Sequence, residues 1–160
     1  MTEKLQTLRD SAFARWSALL LIAMMMFFAY MFVDFLSPLK NALETSLNWD
    51  STTFGTYAAS EYFLNVFCLF LIFAGIILDK MGIRFTGILS GSVMVIGAAI
   101  KLYAVSDWFT ADSALYSFLN SFWTSFPPTA KLASVGFMIF GCGVEMAGVT
   151  VSKAIAKWFK

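Results

Sequence analysis

Histidine and charged residues are what this sequence has least of. None of its 160 residues is histidine, and 13% are Asp, Glu, Lys or Arg, against about 25% in an average soluble domain. The missing histidine excludes a metal site with His ligands and a His general base. Because 59% of the residues are hydrophobic, the composition predicts an integral membrane protein.

Cysteine and net charge are also scarce. Cys68 and Cys142 both fall within long apolar runs, so a disulfide framework is not indicated. The net charge of +1 gives no sign of a nucleic-acid partner. The sequence contains no metal-ligand cluster, nucleophile–base pair or phosphate-cradling loop. We therefore expect no enzyme activity, no metal and no cofactor, and the lipid bilayer is an expected partner.

The apolar residues are gathered into membrane-length runs. A helix needs about 20 mostly apolar residues to cross a bilayer. Four runs qualify, at about 16–36, 57–78, 85–105 and 132–155. The first is too long for a cleavable signal peptide, and no small-residue cleavage site follows it. The prediction is an all-α polytopic bundle, with a short N-terminal segment at 1–15 and a membrane domain at 16–160.

The distribution of Lys and Arg predicts the orientation, because cytosolic loops carry an excess of both. With the N-terminus inside, the outer side holds Lys40, Lys101 and Lys131, and every other Lys and Arg falls inside. Both termini are therefore expected in the cytosol, together with the turn between the second and third runs. A bacterial inner membrane or a plasma membrane is the expected location, since no sorting signal is visible.

The two outer loops carry helical patterns. In the first, leucines recur at helical spacing, and Trp49-Asp50-Ser51 predicts an interfacial Trp followed by a helix cap. In the second, a short surface helix is expected to end at Pro127-Pro128. Its role is a cover over the outer helix ends, or alternatively a substrate gate. The patterns rest on Leu39, Leu43 and Leu47 in the first loop and on Leu115, Phe118, Leu119, Phe122 and Phe126 in the second.

The turn between the second and third runs has the pattern Gly-x3-Asp-Lys-x-Gly-x-Arg, at Gly75, Asp79, Lys80, Gly82 and Arg84. Gly75 allows a neighbouring helix to approach. Asp79 ends its helix and is placed to accept hydrogen bonds, and Gly82 allows a positive φ angle. Lys80 and Arg84 are cytosolic anchors that can pair with acids. These residues predict a conformational latch, and the alternative is a plain basic turn.

Charged residues within the apolar runs are candidates for function, because burying them in a membrane is costly. Glu145 is the first, since it falls midway along the last run on a face with Gly141, Cys142, Gly148 and Ser152. Small residues on that face allow another helix, or a cavity, beside the carboxylate. Glu145 is predicted to bind a substrate amine or a coupling proton, and the alternative is a structural carboxylate.

Other polar residues in the first two runs are second-rank candidates for the substrate or proton pathway. Tyr30 and Asp34 are one turn apart near the outer end of the first run. Glu61 and Asn65 are one turn apart in the second run. Asp34 and Glu61 are equally readable as ordinary charges at the membrane rim. Buried polar groups must find partners, which favours Tyr30 and Asn65 as part of a polar face turned towards the bundle.

The turn at 75–84 resembles the signature loop between helices 2 and 3 of the major facilitator superfamily of secondary transporters. Within it, the chain is most similar to the branch that contains lysosomal dipeptide transporters and their bacterial relatives. That likeness rests on Tyr30-x3-Asp34, on Leu78-Asp79-Lys80 with Gly82-Ile83-Arg84, and on the stretches at 140–145 and 156–160. The resemblance implies the four N-terminal helices of a two-half transporter, whose remaining helices would be a partner. It also implies that Glu145 receives a substrate amino group.

The expected function is secondary active transport of a small solute by alternating access around a site at mid-membrane. A short peptide, an amino-acid-like molecule or an organic anion is the expected substrate. Two other functions stay open. One is a dimeric four-span exporter that shares Glu145, and the other is a membrane accessory subunit that transports nothing.

Overall fold

The computed structural model describes residues 11–159, and every regular element in that range is helical. The all-α prediction is therefore confirmed for this range. Most of the predicted N-terminal segment 1–15, with Lys4 and Arg9, lies outside the described residues, as does Lys160. The helices are α1 (Ala12–Asp34), α2 (Leu36–Leu47), α3 (Ser51–Ala59), α4 (Phe63–Phe67), α5 (Phe70–Val105), α6 (Ala114–Asn120) and α7 (Pro128–Trp158), with a 3-10 turn at Ser60–Tyr62 between α3 and α4.

Three of these helices, α1, α5 and α7, are long and apolar enough to cross a membrane. They make the chain a multi-pass membrane protein. The sequence predicts four spans, and the difference has two causes. The predicted second span, 57–78, is divided among several short helical elements. Its last part, from Phe70 onwards, is joined to the predicted third span, 85–105, within α5.

Helix α5 is two arms that meet at Gly82. This glycine has φ 81° and ψ 172°, far from helical values, so the expected positive φ is confirmed. The contacts with α7 show that the chain reverses there, because they advance along α7 from Gly141, which meets Glu61, to Lys153 before the turn and go back afterwards. Before the turn, Leu78 lies beside Lys153, where its carbonyl oxygen accepts a hydrogen bond of 3.3 Å from the Lys153 Nζ. After the turn, Ser90 Oγ donates to the Gly143 carbonyl oxygen at 2.8 Å. The first arm, 70–81, therefore runs towards the end of α7, and the second arm, 83–105, runs back.

The stretch before the first arm does not form the single helix that the sequence predicts over 57–78. It begins earlier, because Asp50 caps α3 by accepting a 2.6 Å hydrogen bond from the Thr53 backbone. It then tightens to 3-10 geometry and breaks at Leu69, which has φ 52°. A left-handed conformation is uncommon for leucine, and no glycine or proline marks the break in the sequence.

Helix α7 is the centre of the bundle. More than half of its most apolar segment is buried, whereas almost none of the corresponding segment of α1 is fully buried. α1, α5 and the 3-10 turn all pack on α7. Its closest crossing is with the second arm of α5, where a Cβ on Gly97 would lie 2.6 Å from the Gly136 carbonyl oxygen. Only residues without side chains allow this approach.

Gly87 and Gly91, on the second arm of α5, have the spacing of a helix-packing motif, but the helices do not come closest there. A Cβ on Gly87 would first meet Thr150 Cγ2 at 4.0 Å, and one on Gly91 would meet Met25 Sδ at 3.9 Å. Both are ordinary van der Waals distances.

The outer segments are tied to the rest of the bundle. Trp49 is 2% exposed, and its Nε1 donates to Thr129 Oγ1 at 3.0 Å. Pro127-Pro128 does not end the surface helix, since α6 ends at Asn120. The two prolines instead begin α7, with Pro128 at its first turn, where proline needs no backbone partner. The predicted fourth span, 132–155, accordingly extends to 128–158.

Candidate functional site

Glu61 is the most deeply buried carboxylate among the described residues, with 4% of its surface exposed. The 3-10 turn carries it against the middle of α7. A Cβ on Gly141 would lie 2.8 Å from Glu61 Cγ and would also collide with the Glu61 carbonyl oxygen. The glycine in the predicted small-residue face of α7 thus accommodates a carboxylate side chain from a neighbouring segment, rather than another full helix.

The predicted pathway residues converge around Glu61. The charges of Glu145, Lys101 and Asp34 all act on its carboxylate. Tyr30, from α1, lies within electrostatic range of both Glu61 and Glu145. Residues that are far apart in the sequence therefore form one group beside α7, which we call the acidic cluster: Tyr30, Asp34, Glu61, Asn65 and Glu145.

The members of the acidic cluster differ in exposure. Glu145 is half-buried, and its carboxylate forms no ion pair or hydrogen bond with any other residue in 11–159. Asp34 is exposed, and Tyr30 is 45% exposed, so the cluster opens on the side of α1. The Asn65 Nδ2 makes a long 3.5 Å contact with the Glu61 carbonyl oxygen. Its Oδ1 is buried with no hydrogen-bond partner, which leaves an acceptor available in the cluster.

Lys101 is a further charged residue of the site, and the sequence analysis missed it by counting it as an outer-side anchor. It is 8% exposed, and its side chain lies among aromatic rings. The Nζ is 3.8 Å from the centroid of the Phe137 ring and 4.7 Å from that of Phe32. A lysine within an apolar run was the signal that could have identified it, since charged residues in spans are rarely incidental.

A cavity of about 230 Å³ lies beside Lys101, between α1, α2, α3 and the second arm of α5. Its walls are apolar and aromatic, and the Lys101 side chain is the charged group that lines it. The other lining residues include Phe32, Leu43, Trp49, Tyr57 and Leu102.

The turn at 75–84 has an ion pair within the chain. Lys153 Nζ, on α7, lies 2.5 Å from Asp79 Oδ1 and also donates to the Leu78 carbonyl oxygen. The sequence pattern did not predict Lys153 as this partner. Lys80 and Arg84 are exposed and bond to no other residue within 11–159. No described atom lies within 4 Å of a Cβ placed on Gly75, so close helix approach there finds no support.

Within residues 11–159, no group of three or more Cys, Asp and Glu side chains is arranged to hold a metal ion. The carboxylates of the acidic cluster can bind a cation or a proton, and its polar side chains can donate or accept hydrogen bonds.

Comparison with protein-family models, with curated proteins and with solved structures finds no match to this chain. The resemblance to the major facilitator superfamily thus stays a prediction from the turn at 75–84 and the residues around it.

Proposed function

We propose that the protein is a secondary active transporter of a small solute, of the major facilitator type, in a bacterial inner membrane or a plasma membrane. Its membrane part would cross four times: α1, the stretch 51–81, the arm 83–105, and α7. Both ends of the described chain would then lie in the cytosol.

The observation that carries the proposal is the acidic cluster at mid-length of α7. Two carboxylates, Glu61 and Glu145, lie close enough for the charge of Glu145 to act on Glu61, and no ion pair neutralises Glu145 within the described residues. Neighbouring carboxylates bind one proton or one cation far more readily than isolated ones, because each disfavours the other's negative charge. A site of this kind at mid-membrane is suited to alternating access.

The ion pair between Asp79 and Lys153 supplies a candidate for the conformational latch. It ties the first arm of α5 to the last turns of α7 at the cytosolic end. The pair is partly exposed, with 77% of the Asp79 side chain accessible, so breaking it costs little. A weak ion pair of this sort can break and re-form repeatedly, as a conformational latch requires.

The dimeric exporter and the accessory subunit are the rival functions. One feature is compatible with either, because α1 exposes many large apolar residues on the bundle surface, among them Phe13, Leu21 and Phe27. Lipid, further helices or a second copy would each cover that face.

The test uses the natively expressed full-length protein. Its intact mass comes first, and a single chain of two six-helix halves is the expected result. Thermal stability is then followed while candidate solutes are added, since a ligand that binds the folded state stabilises it. Uptake into sealed proteoliposomes is measured for the solutes that stabilise.

Glu61→Gln and Glu145→Gln are expected to abolish both the stabilisation and the uptake. Asp107→Asn is the matched control, because Asp107 is an exposed carboxylate outside the cluster. Solute uptake that survives Glu145→Gln would show that Glu145 is not the substrate or proton site. Absence of uptake for every stabilising solute would favour the accessory subunit.

A further inference from the structure

Lys101 carries a positive charge that finds no acceptor within the described chain. The residue is 8% exposed, and the ion pairs in 11–159 are Lys40–Glu44 and Asp79–Lys153. The Lys101 Nζ takes part in neither, and it donates no hydrogen bond to any residue in that range. A buried ammonium without a partner is strongly unfavourable, so its presence calls for a compensating group.

The aromatic rings around the ammonium compensate in part. Phe137 and Phe32 are the nearest, and Phe140 and Tyr57 follow at 5.4 and 5.7 Å between Nζ and the ring centroid. Ring faces attract a cation, but they do not accept its three N–H bonds as oxygen atoms do. The ammonium therefore retains hydrogen-bonding capacity that only an anion or polar molecule in the adjacent space can use.

The adjacent space is the apolar cavity of about 230 Å³. A molecule that fills it must be small, because ordinary ligand pockets begin at about 300 Å³. It must also have an apolar body, since the walls are formed by side chains such as Leu36, Leu43 and Val105. The group directed at Lys101 must be an acceptor of opposite charge, which a carboxylate provides.

Glu61 is the carboxylate of the chain that competes for Lys101. Its charge acts on the ammonium, but the two do not form an ion pair. Packing of Glu61 on Gly141 fixes its position against α7. The negative charges of Glu61, Glu145 and Asp34 would also repel a ligand with more than one anionic group.

We propose that Lys101 binds the carboxylate of a small monocarboxylate whose apolar body occupies the cavity beside it. As a binding site this stands on the geometry around Lys101. As a statement of the transported substrate it rests on the transport function proposed above.

The test measures the binding of defined carboxylates to the purified full-length protein in a neutral detergent. The shift in melting temperature reports the binding. Acetate, butyrate, hexanoate and benzoate are compared with butyramide and benzamide, which have the same bodies without the charge. Affinity is expected to rise about fourfold for each methylene group buried, until the cavity is full. The amides are expected to bind at least tenfold more weakly, on the order of one charge-assisted hydrogen bond.

Lys101→Gln and Lys101→Met are expected to weaken carboxylate binding about 30-fold, as the loss of one partner of a buried charge pair does. Lys157→Gln is the matched control, because it removes one positive charge from an exposed lysine and should leave binding unchanged. Lys101→Met is expected to melt no lower than the parent without ligand, since an unpaired buried charge is replaced by an apolar side chain.

Equal stabilisation by amides and carboxylates would overturn the inference, because the cavity would then select for shape alone. If no carboxylate raises the melting temperature and Lys101→Met greatly lowers it, the inference is also overturned. Lys101 is then a structural residue. Uptake assays separate the two proposals. Carboxylate binding without uptake refutes transport and leaves the site intact, whereas uptake of a solute that needs neither carboxylate nor Lys101 refutes the site alone.

Discussion

Gly97 is a residue at which a single added methyl group should strongly disturb the bundle. A Cβ there would lie 2.5 Å from the Phe140 backbone nitrogen and 2.6 Å from the Gly136 carbonyl oxygen. Both are backbone atoms of α7, so neither can rotate out of the way. Gly97→Ala must therefore push the second arm of α5 away from α7. Overpacking of this kind costs about 1–3 kcal/mol, which exceeds the gain of up to about 1 kcal/mol from replacing Gly by Ala within a helix.

Gly91→Ala is the matched control on the same arm. The nearest atom to a Cβ at this position is Met25 Sδ at 3.9 Å, an ordinary contact distance. The substitution gains helix propensity without a collision, so the free energy of unfolding should stay the same or increase by up to about 1 kcal/mol. The two variants make the same chemical change six residues apart, and they are expected to move stability in opposite directions.

Unfolding of both variants is measured by circular dichroism in mixed micelles, titrated with a denaturing detergent. Carboxylate affinity is measured alongside, because a Cβ at Gly136 would lie 2.8 Å from the Lys101 backbone nitrogen, and separation of the helices displaces Lys101. Gly97→Ala should lose stability and weaken binding together. If Gly97→Ala proves as stable as Gly91→Ala, the close crossing inferred at Gly97 is wrong.

The other predictions concern the two ends of the bundle. For Asp79 and Lys153, a double-mutant cycle with Asp79→Asn and Lys153→Met should give a coupling of about 0.2–1 kcal/mol, which falls with salt because the pair is partly exposed; a larger coupling that resists salt would contradict this. Hydrogen bonds from Thr53 hold the pKa of the Asp50 carboxyl below its ordinary value of 3.8. The cap therefore stabilises the protein above that pH, and its contribution is lost as pH falls through the lowered pKa. Melting temperature against pH should show this loss, and Asp50→Asn, which keeps an N-cap acceptor, should remove it; an unchanged acid profile would refute the assignment.

The sequence predicted features that depend on local rules. Gly82 takes the positive φ that only glycine adopts without strain, and Asp50 caps a helix as its side chain favours. Glu61, a charged residue in an apolar run, lies buried against α7, as the cost of exposing a charge to lipid favours. These inferences needed no knowledge of which helices are neighbours.

Features that depend on tertiary contact were missed. The close crossing falls at Gly97 and Gly136 rather than at Gly87 and Gly91. Which glycines lie at the crossing depends on where the partner helix passes. The break at Leu69 has no local signal. The sequence placed Lys101 on the outer side as an anchor. The aromatic rings that surround it come from α1, α3 and α7, so the pattern around Lys101 itself does not reveal them.

The central helix of the bundle, α7, emerges from the ribosome after the helices that pack on it. Contact of α1 with α5 is slight, whereas both pack on α7, so the earlier helices have little to hold them together until residues 128–158 are made. Until then, Glu61 and Lys101 would stand in the bilayer without the surroundings that α7 supplies. Assembly is therefore expected to be a late and concerted event, and a nascent chain arrested before residue 128 should expose its charged residues to membrane quality control.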